Sequence, residues 1–464
     1  MKKVKSYLQS SRAILIVIVP CILVLTIFAC ATNRHVDAFN EVDQKVMRHD
    51  FGAALAAIAK GQEGRPPLYP ENNAISLFLD TGFLRHFNGD YVASSSDLLE
   101  AERLISEAFT RSVTADFLVW LGNDNAREYA GEDFEDIYLS IFNALNFFHK
   151  GDFEGAMVEI RKLTMDPGGK LPMLNLKFEN ARQGFATSVM EVFARLGLSL
   201  NDALPAGINP ANFSDSALAR YLSILFYTAN GDMDSARIEY ERLQTAFESN
   251  RQIYHHPIPS SVAELKNVPY GQGRLNIIGF TGLSPVKREE WFSGRFPFLS
   301  NPELQTPAFR LPIMVDRPSA IDRIGVAVYG QSGFNLEIIE DMGAVVRETF
   351  NARFADMFFR TYIRVLMRYI AADIAVTQAG RGGGLARTAA AIAARATADA
   401  LEGADTRMSR FLPNKASVGG INLYPGSYRI RVNFYSGNRV IYYETHTVEI
   451  NAGSFNLLQV VNLR

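Results

Sequence analysis

The stretch KGDFEGAMVEIRK, residues 150–162, decides how the first half of the chain folds. Its Asp, two Glu and Arg suit either an acidic cluster or a charged helix start. Three similar stretches favour the helix start: RHDFGAALAAI (48–58), NGDYVASSSDL (88–98) and NGDMDSARIEY (230–240). In each, Asp50, Asp90, Asp152 or Asp232 precedes an apolar residue, with a small residue three positions further on: Ala54, Ser94, Ala156 and Ala236. Gly89, Gly151 and Gly231 suit the left-handed conformation that ends a preceding helix. The four aspartates suit capping of the next helix through its free N–H groups. The small residues let the two helices pack closely.

In the opening stretch, Glu154 falls in the first turn, where a negative charge opposes the helix dipole. Phe153, Ala156, Met157, Ile160 and Leu163 form the packing stripe. Glu159 and Arg161 flank that stripe, open to salt links or to a ligand groove. The whole is the grammar of tetratricopeptide (TPR) repeats. The aspartates are spaced by 40, 62 and 80 residues, so the array is degenerate and interrupted. DPGGKLP (166–172) and NDALPAGINP (201–210) read as connecting loops.

Lys2, Lys3, Lys5 and Arg12 precede an apolar run over residues 13–29, a secretory signal layout. The run ends in IFAC, resembling a bacterial lipobox with Ile27 at −3 and Ala29 at −1. The expectation is cleavage after residue 29 and lipidation of Cys30. The alternative is a retained transmembrane anchor, for which the run is just long enough. The only other cysteine, Cys21, lies in the run, so residues beyond 30 carry no thiol chemistry, disulfide or cysteine metal site. A chain 48% hydrophobic and 21% charged, with net charge −2, is neither disordered nor globally basic. No nucleic-acid partner is expected.

Beyond residue 250 the pattern changes. Residues 251–320 are rich in Pro and Gly and read as a connector with short strands joining the β domain, RLNIIGF (274–280) being one short apolar run. From 321 to 464, alternating β-branched and aromatic residues predict an antiparallel β-sandwich, with hairpin turns at SGNR (436–439) and YPGS (424–427). A helical insertion over 341–403 interrupts it. Arg353, Arg360, Arg364 and Arg368 line one face of its first arm, suited to an anionic partner or to packing with the charged tips in water. The fold class expected is therefore α+β multidomain. A signal segment (1–29) and a TPR-like domain (30–250) come first, then the connector and the β domain.

Candidate chemistry is sparse. GRGGG (380–384) lacks the phosphate-loop pattern and reads as a helix-joining tip. GQSG (330–333) falls short of a nucleophile elbow and reads as a turn. His255 and His256 have no helical partner to build a metal site. GEDFED (131–136) packs four carboxylates into six residues just before an apolar helix. Paired carboxylates are what glycoside hydrolysis needs; acidic residues at a helix start are also what the dipole favours.

Four segments together resemble a family of uncharacterised bacterial lipoproteins with TPR-like repeats: NDNAREYAGEDFE (123–135), ALNFFHKGDFEGAMVEIRK (144–162), GQGRLNIIGFTGLSPVK (271–287) and ADTRMSRFLPNKA (404–416). In the last, Met408 and Ser409 stand where the family pattern has Ser-Trp. The resemblance implies a lipid anchor and repeats, and no reaction. The sequence therefore predicts a non-enzymatic envelope scaffold, without cofactor or metal. A lipid on Cys30 would tether it to a membrane, by preference the periplasmic side of the outer membrane. Envelope proteins or peptidoglycan would be its partners, with 341–403 as a surface for self-association. The alternative is a protein that binds or hydrolyses envelope glycans through the 131–136 carboxylates.

Overall fold

A computed structural model describes residues 39–112, 128–165, 168–171, 213, 215–296, 299–379, 384–400 and 403–464. The fold is mixed α/β, with helices in the N-terminal half and sheets in the C-terminal half. The chain divides into two compact units, Met1–Pro70 and Glu71–Arg464.

In the first unit, a helix over 39–47 (α1) leads into α2 (Phe51–Gln62). His49 takes a left-handed φ of 62° in the turn between them. Asp50 then accepts from the Ala53 N–H at 2.9 Å. The segment after α2 folds back, and the Gln62 amide brackets the Tyr69 backbone, accepting from its N–H at 2.6 Å and donating to its carbonyl at 3.2 Å.

The second unit repeats the same turn three times. It joins α3 (Ala74–Phe87) to α4 (Tyr91–Ser112), α5 (Asp133–His149) to α6 (Phe153–Thr164), and α7 (Ala217–Ala229) to α8 (Met233–Ser249). Gly89, Gly151 and Gly231 all have φ near 77°. The following Asp N–H bonds back to the carbonyl five residues earlier, at 2.9 Å in each case, satisfying a helix-end carbonyl in the Schellman manner. Each Asp side chain then accepts from the N–H three residues on, at 3.2 Å for Asp90, 2.9 Å for Asp152 and 3.0 Å for Asp232. Ala54, Ser94, Ala156 and Ala236 are buried in all four repeats of the motif.

Among the described residues ten strands follow: β1 (Gly273–Leu283), β2 (Val286–Ser293), β3 (Ala308–Val315), β4 (Arg323–Val328), β5 (Phe334–Asn335), β6 (Glu337–Asp341), β7 (Pro413–Leu423), β8 (Gly426–Ser436), β9 (Arg439–Ile450) and β10 (Phe455–Asn462). A short helix, α9 (Ser260–Glu264), precedes them. One four-stranded sheet has the order β10-β1-β7-β6, the other β5-β4-β8-β9, and β2 and β3 form a separate ribbon. The two larger sheets share one apolar cluster that includes Ile277, Ile324, Val326, Val432, Phe434 and Val460.

Two expectations need correcting. The sheets are not wholly antiparallel, because β1 and β10 run parallel. The turn at 424–427 is not a hairpin, because β7 and β8 lie in different sheets. The 251–320 stretch supplies β1, an inner strand buried along all eleven residues. Both faces of β1 are covered, which produces a near-continuous apolar run rather than alternation. Leu275 and Ile277 enter the cluster between the sheets, while Phe280 meets Phe142 of α5 with ring centroids 5.0 Å apart.

The helical insertion consists of α10 (Met342–Ala379) and α11 (Gly384–Ala400), placed between the paired strands β6 and β7. Ile363, Leu366, Tyr369 and Val376 of α10 pack with Ala391 and Ala398 of α11 against Phe296, Leu299, Leu304 and Phe309. Asp373 fastens this contact by accepting from the Ser300 and Asn301 N–H groups, both at 2.9 Å. The 251–320 stretch thus also supplies the pad on which the insertion rests.

Candidate functional site

The acidic segment 131–136 becomes the start of α5, and it does not face open solvent. Gly131 turns the chain with φ 77°. Glu135 then accepts from the Glu132 N–H at 2.8 Å, closing the helix start. Glu132 is ion-paired twice, to Lys287 Nζ at 2.5 Å and to Arg353 Nη1 at 2.8 Å. Arg353 also pairs with Asp133. Lys287 reaches inward because it occupies the buried second position of β2.

Glu135 lies behind these pairs and is fully buried. It accepts from the Tyr129 hydroxyl at 2.8 Å and from the Ser409 N–H at 2.5 Å. Ser409 in turn donates its hydroxyl to Asp80 of α3 at 2.7 Å, and the Arg410 N–H donates to the same carboxylate at 2.7 Å. Arg407 forks onto Asp405 with two contacts of 2.8 Å and reaches the Asn72 carbonyl at 3.1 Å. Its guanidinium lies 5.4 Å from the Tyr129 ring centroid. Three segments that stand apart in the sequence, around residues 129–135, 287 and 405–411, therefore meet at one charged junction. Arg353 of the insertion completes it.

The electrostatics differ within the junction. Burial pushes the Glu132 carboxyl up, but Lys287 and Arg353 outweigh it and hold it below its ordinary range. Burial, then the Glu132 charge, pushes Glu135 up to about 7 against the three N–H and O–H groups it accepts from. Burial opposes the Lys287 charge, and Glu132 with Asp405 restores it and raises its pKa.

One side of the junction opens into a cavity of about 220 Å³. Glu132, Lys287, Arg310, Arg353, Arg360 and Arg407 are among its walls, while Asp133 and Glu135 are not. The arrangement thus brings one acidic side chain of the 131–136 segment to the cavity, neutralised by two cations. Within that segment Glu132 alone lines the cavity, so a carboxylate pair of the kind glycoside hydrolysis uses is not formed by residues 131–136 themselves.

The remaining predicted residues separate. Arg353 and Arg360 line the cavity, Arg368 is half-buried, and Arg364 is buried and donates to Thr361 Oγ1 at 3.1 Å. Arg364 therefore corrects the expectation of a water-facing arginine stripe: its stretch of α10, with Ile363, Val365 and Leu366, is buried where the insertion packs on the 296–309 pad. Glu159 makes the salt link that was one of its two expected roles, to Lys162, but is too buried to line a binding surface. It is 2% exposed, and it accepts from Asn143 at 3.1 Å and Lys162 at 2.9 Å, while Arg161 is exposed. Asp50, Asp90, Asp152 and Asp232 are at the helix starts described above. Gly330 and Gln331 lie in the turn between β4 and β5, with Gln331 N–H bonded to the Val328 carbonyl. His255 and His256 border a shallow surface depression with Phe247, Arg251 and Tyr254. Cys30 and residues 1–29, the loop 201–210 and residues 380–383 lie outside the described residues.

Several organising residues carry no sequence motif. Asp80 is a lone carboxylate inside the apolar run of α3, which is itself a signal of a buried partner. Glu340 is wholly buried and accepts from Tyr138 at 2.5 Å, Ser216 at 2.8 Å, and the Leu218 N–H and Tyr254 hydroxyl at 3.0 Å. His86 donates from Nδ1 to Asn146 and accepts from Gln459 of β10 at Nε2, both at 2.6 Å. Burial first, and His149 nearby, lower its pKa to about 3 despite those two bonds.

Among the described residues no helix is long and apolar enough to cross a membrane, and no group of three or more His, Cys, Asp or Glu side chains could hold a metal ion. Comparisons with protein-family models, with curated proteins and with solved structures give no match.

Proposed function

We propose that the protein is a membrane-tethered, non-enzymatic scaffold of the bacterial envelope. A lipid on Cys30 holds it to the membrane, on the periplasmic side of the outer membrane. Its helical half docks envelope proteins or peptidoglycan. In this reading the helix pairs are degenerate TPR-like repeats, and the two larger sheets, with their shared apolar cluster, are a sandwich-like body.

The observation that carries the docking role is the sixth position after each capping Asp. Ala56, Ser96, Val158 and Ile238 occupy it, and all four are exposed. In the last two the side chain is large and apolar, 50% and 39% exposed. Val92 and Met233, early in α4 and α8, are more exposed still. Apolar exposure that recurs at one position of a repeated unit suits a partner surface better than scatter does. The ion-paired state of Glu132 and Asp133 further supports a structural role for the acidic segment.

Two experiments test this. Radiolabelled palmitate should label the wild type and not Cys30→Ala; equal labelling ends the anchor. Photo-crosslinkers at Val158 and Ile238 in intact cells should capture one common species, lost in Val158→Glu. Crosslinks that survive that substitution unchanged, or that differ between the two positions, would end the docking surface.

A further inference from the structure

We infer that the cavity beside the α5 start is a site for a small oxyanion, a phosphate-monoester or carboxylate group carried on a small molecule. Five cations reach its wall from four parts of the fold: Lys287 of β2, Arg310 of β3, Arg353 and Arg360 of α10, and Arg407 of the 403–412 segment. Three carboxylates share that wall: Glu128, Glu132 and Asp405. Two further carboxylates hold arginines without reaching the cavity. Asp133 pairs with Arg353, and Glu289 accepts from Arg310 at 3.1 Å. The wall itself therefore carries an excess of two positive charges, with acids behind it fixing the guanidinium groups.

Arg310 is the most telling member. Its guanidinium carbon lies 4.0 Å from the Trp291 ring centroid, so the fork is held flat. Its side chain stays partly exposed beside the cavity. A guanidinium held flat beside a cavity is suited to a planar or tetrahedral oxyanion, which two N–H groups grip at once. Arg353 and Arg360 are seven residues apart on α10, two turns along one face. At about 220 Å³ the space falls below that of drug-sized pockets, which limits the ligand to a small one.

Titration calorimetry on the full chain tests this with inorganic phosphate, glucose 1-phosphate and glucuronate, and glucose as the neutral control. At least one oxyanion should bind saturably with a Kd in the millimolar range or tighter, and glucose should not. Arg360→Gln and Arg310→Gln should each weaken that binding at least ~10-fold, the loss of one charge-assisted pair, at an unchanged melting temperature. Co-sedimentation with phosphatidylglycerol vesicles, against phosphatidylcholine, separates the sources. Vesicle binding that the soluble anion displaces, and that Arg360→Gln abolishes, assigns a lipid headgroup; soluble binding alone assigns a free metabolite. The proposal is overturned if no oxyanion binds, if glucose binds equally, or if both variants bind as the wild type does.

Discussion

The chain contains two kinds of acidic helix start. At α2, α4, α6 and α8 a single Asp caps the helix from an exposed or half-exposed position, bonding to an N–H three residues away. At α5, Glu132 and Glu135 close the helix start and also bind partners far along the chain, Lys287, Arg353 and Ser409. Local chemistry is nearly the same in both. The difference is what covers the carboxylate: water in one case, two cations and a loop in the other. An exposed cap stabilises a helix; a buried one also fixes which distant segments may meet there, because an unpaired charge in that place is costly.

The largest expected effect comes from breaking the buried start. Lys287→Met leaves Glu132 with Arg353 alone and should cost about 3–5 kcal/mol, read by urea unfolding. Asp152→Ala at an exposed start should cost about 1 kcal/mol in the same assay. Equal losses at the two sites would erase the distinction between them.

The pH dependence sharpens the comparison next. Glu135 has a folded pKa of about 7 against an ordinary value of 4.5. The folded state therefore holds the proton more tightly. Its contribution is complete below pH 4.5 and is lost as pH rises through 7, at up to about 1.4 kcal/mol per pH unit. His86 works the other way. Its folded pKa of about 3 lies below the ordinary 6.5, so its contribution is present above 6.5 and lost as pH falls towards 3. The two slopes oppose each other between pH 4.5 and 6.5. Above 6.5 the His86 slope ends while that of Glu135 continues, and Glu135→Gln should make the fall in stability there shallower. Identical pH profiles for wild type and Glu135→Gln between pH 6.5 and 7.5 would contradict the buried, half-protonated Glu135.

The same contrast explains what could be read from the sequence. The repeated turn was legible because everything it needs lies within eight residues: a Gly for the left-handed φ, an Asp for the free N–H groups, and a small residue one turn on. The SGNR hairpin turn between β8 and β9 and the helical insertion were legible for the same local reasons. The junction was not. The segments around 131–136, 271–287 and 404–416 stood out separately, yet nothing local says that Lys287 meets Glu132. Lys287 belongs to β2, just after β1; the run RLNIIGF stood out within the Pro- and Gly-rich stretch, but two-sided burial removed the alternation that would mark it as a strand. Likewise, helical spacing placed Arg364 beside Arg360 and could not tell which side α11 and the 296–309 pad would cover.

The smallest effect discriminates most finely, because Glu159 and Arg161 are two residues apart on α6 and looked alike in the sequence. Glu159 is buried, accepts from Asn143 and Lys162, and has its carboxyl pushed up by burial against the pull of Lys162. Arg161 is exposed on the same helix. Truncating Arg161 to Ala should change stability by less than ~0.5 kcal/mol. Glu159→Ala leaves Asn143 without its acceptor and should cost about 1–3 kcal/mol. If docking uses the outer face of α6, the order reverses in the crosslinking assay: Arg161→Ala, three residues along α6 from Val158, alters capture, and a Glu159 variant that still folds does not. A matched loss of stability in both variants would mean that α6 has no outer face to offer.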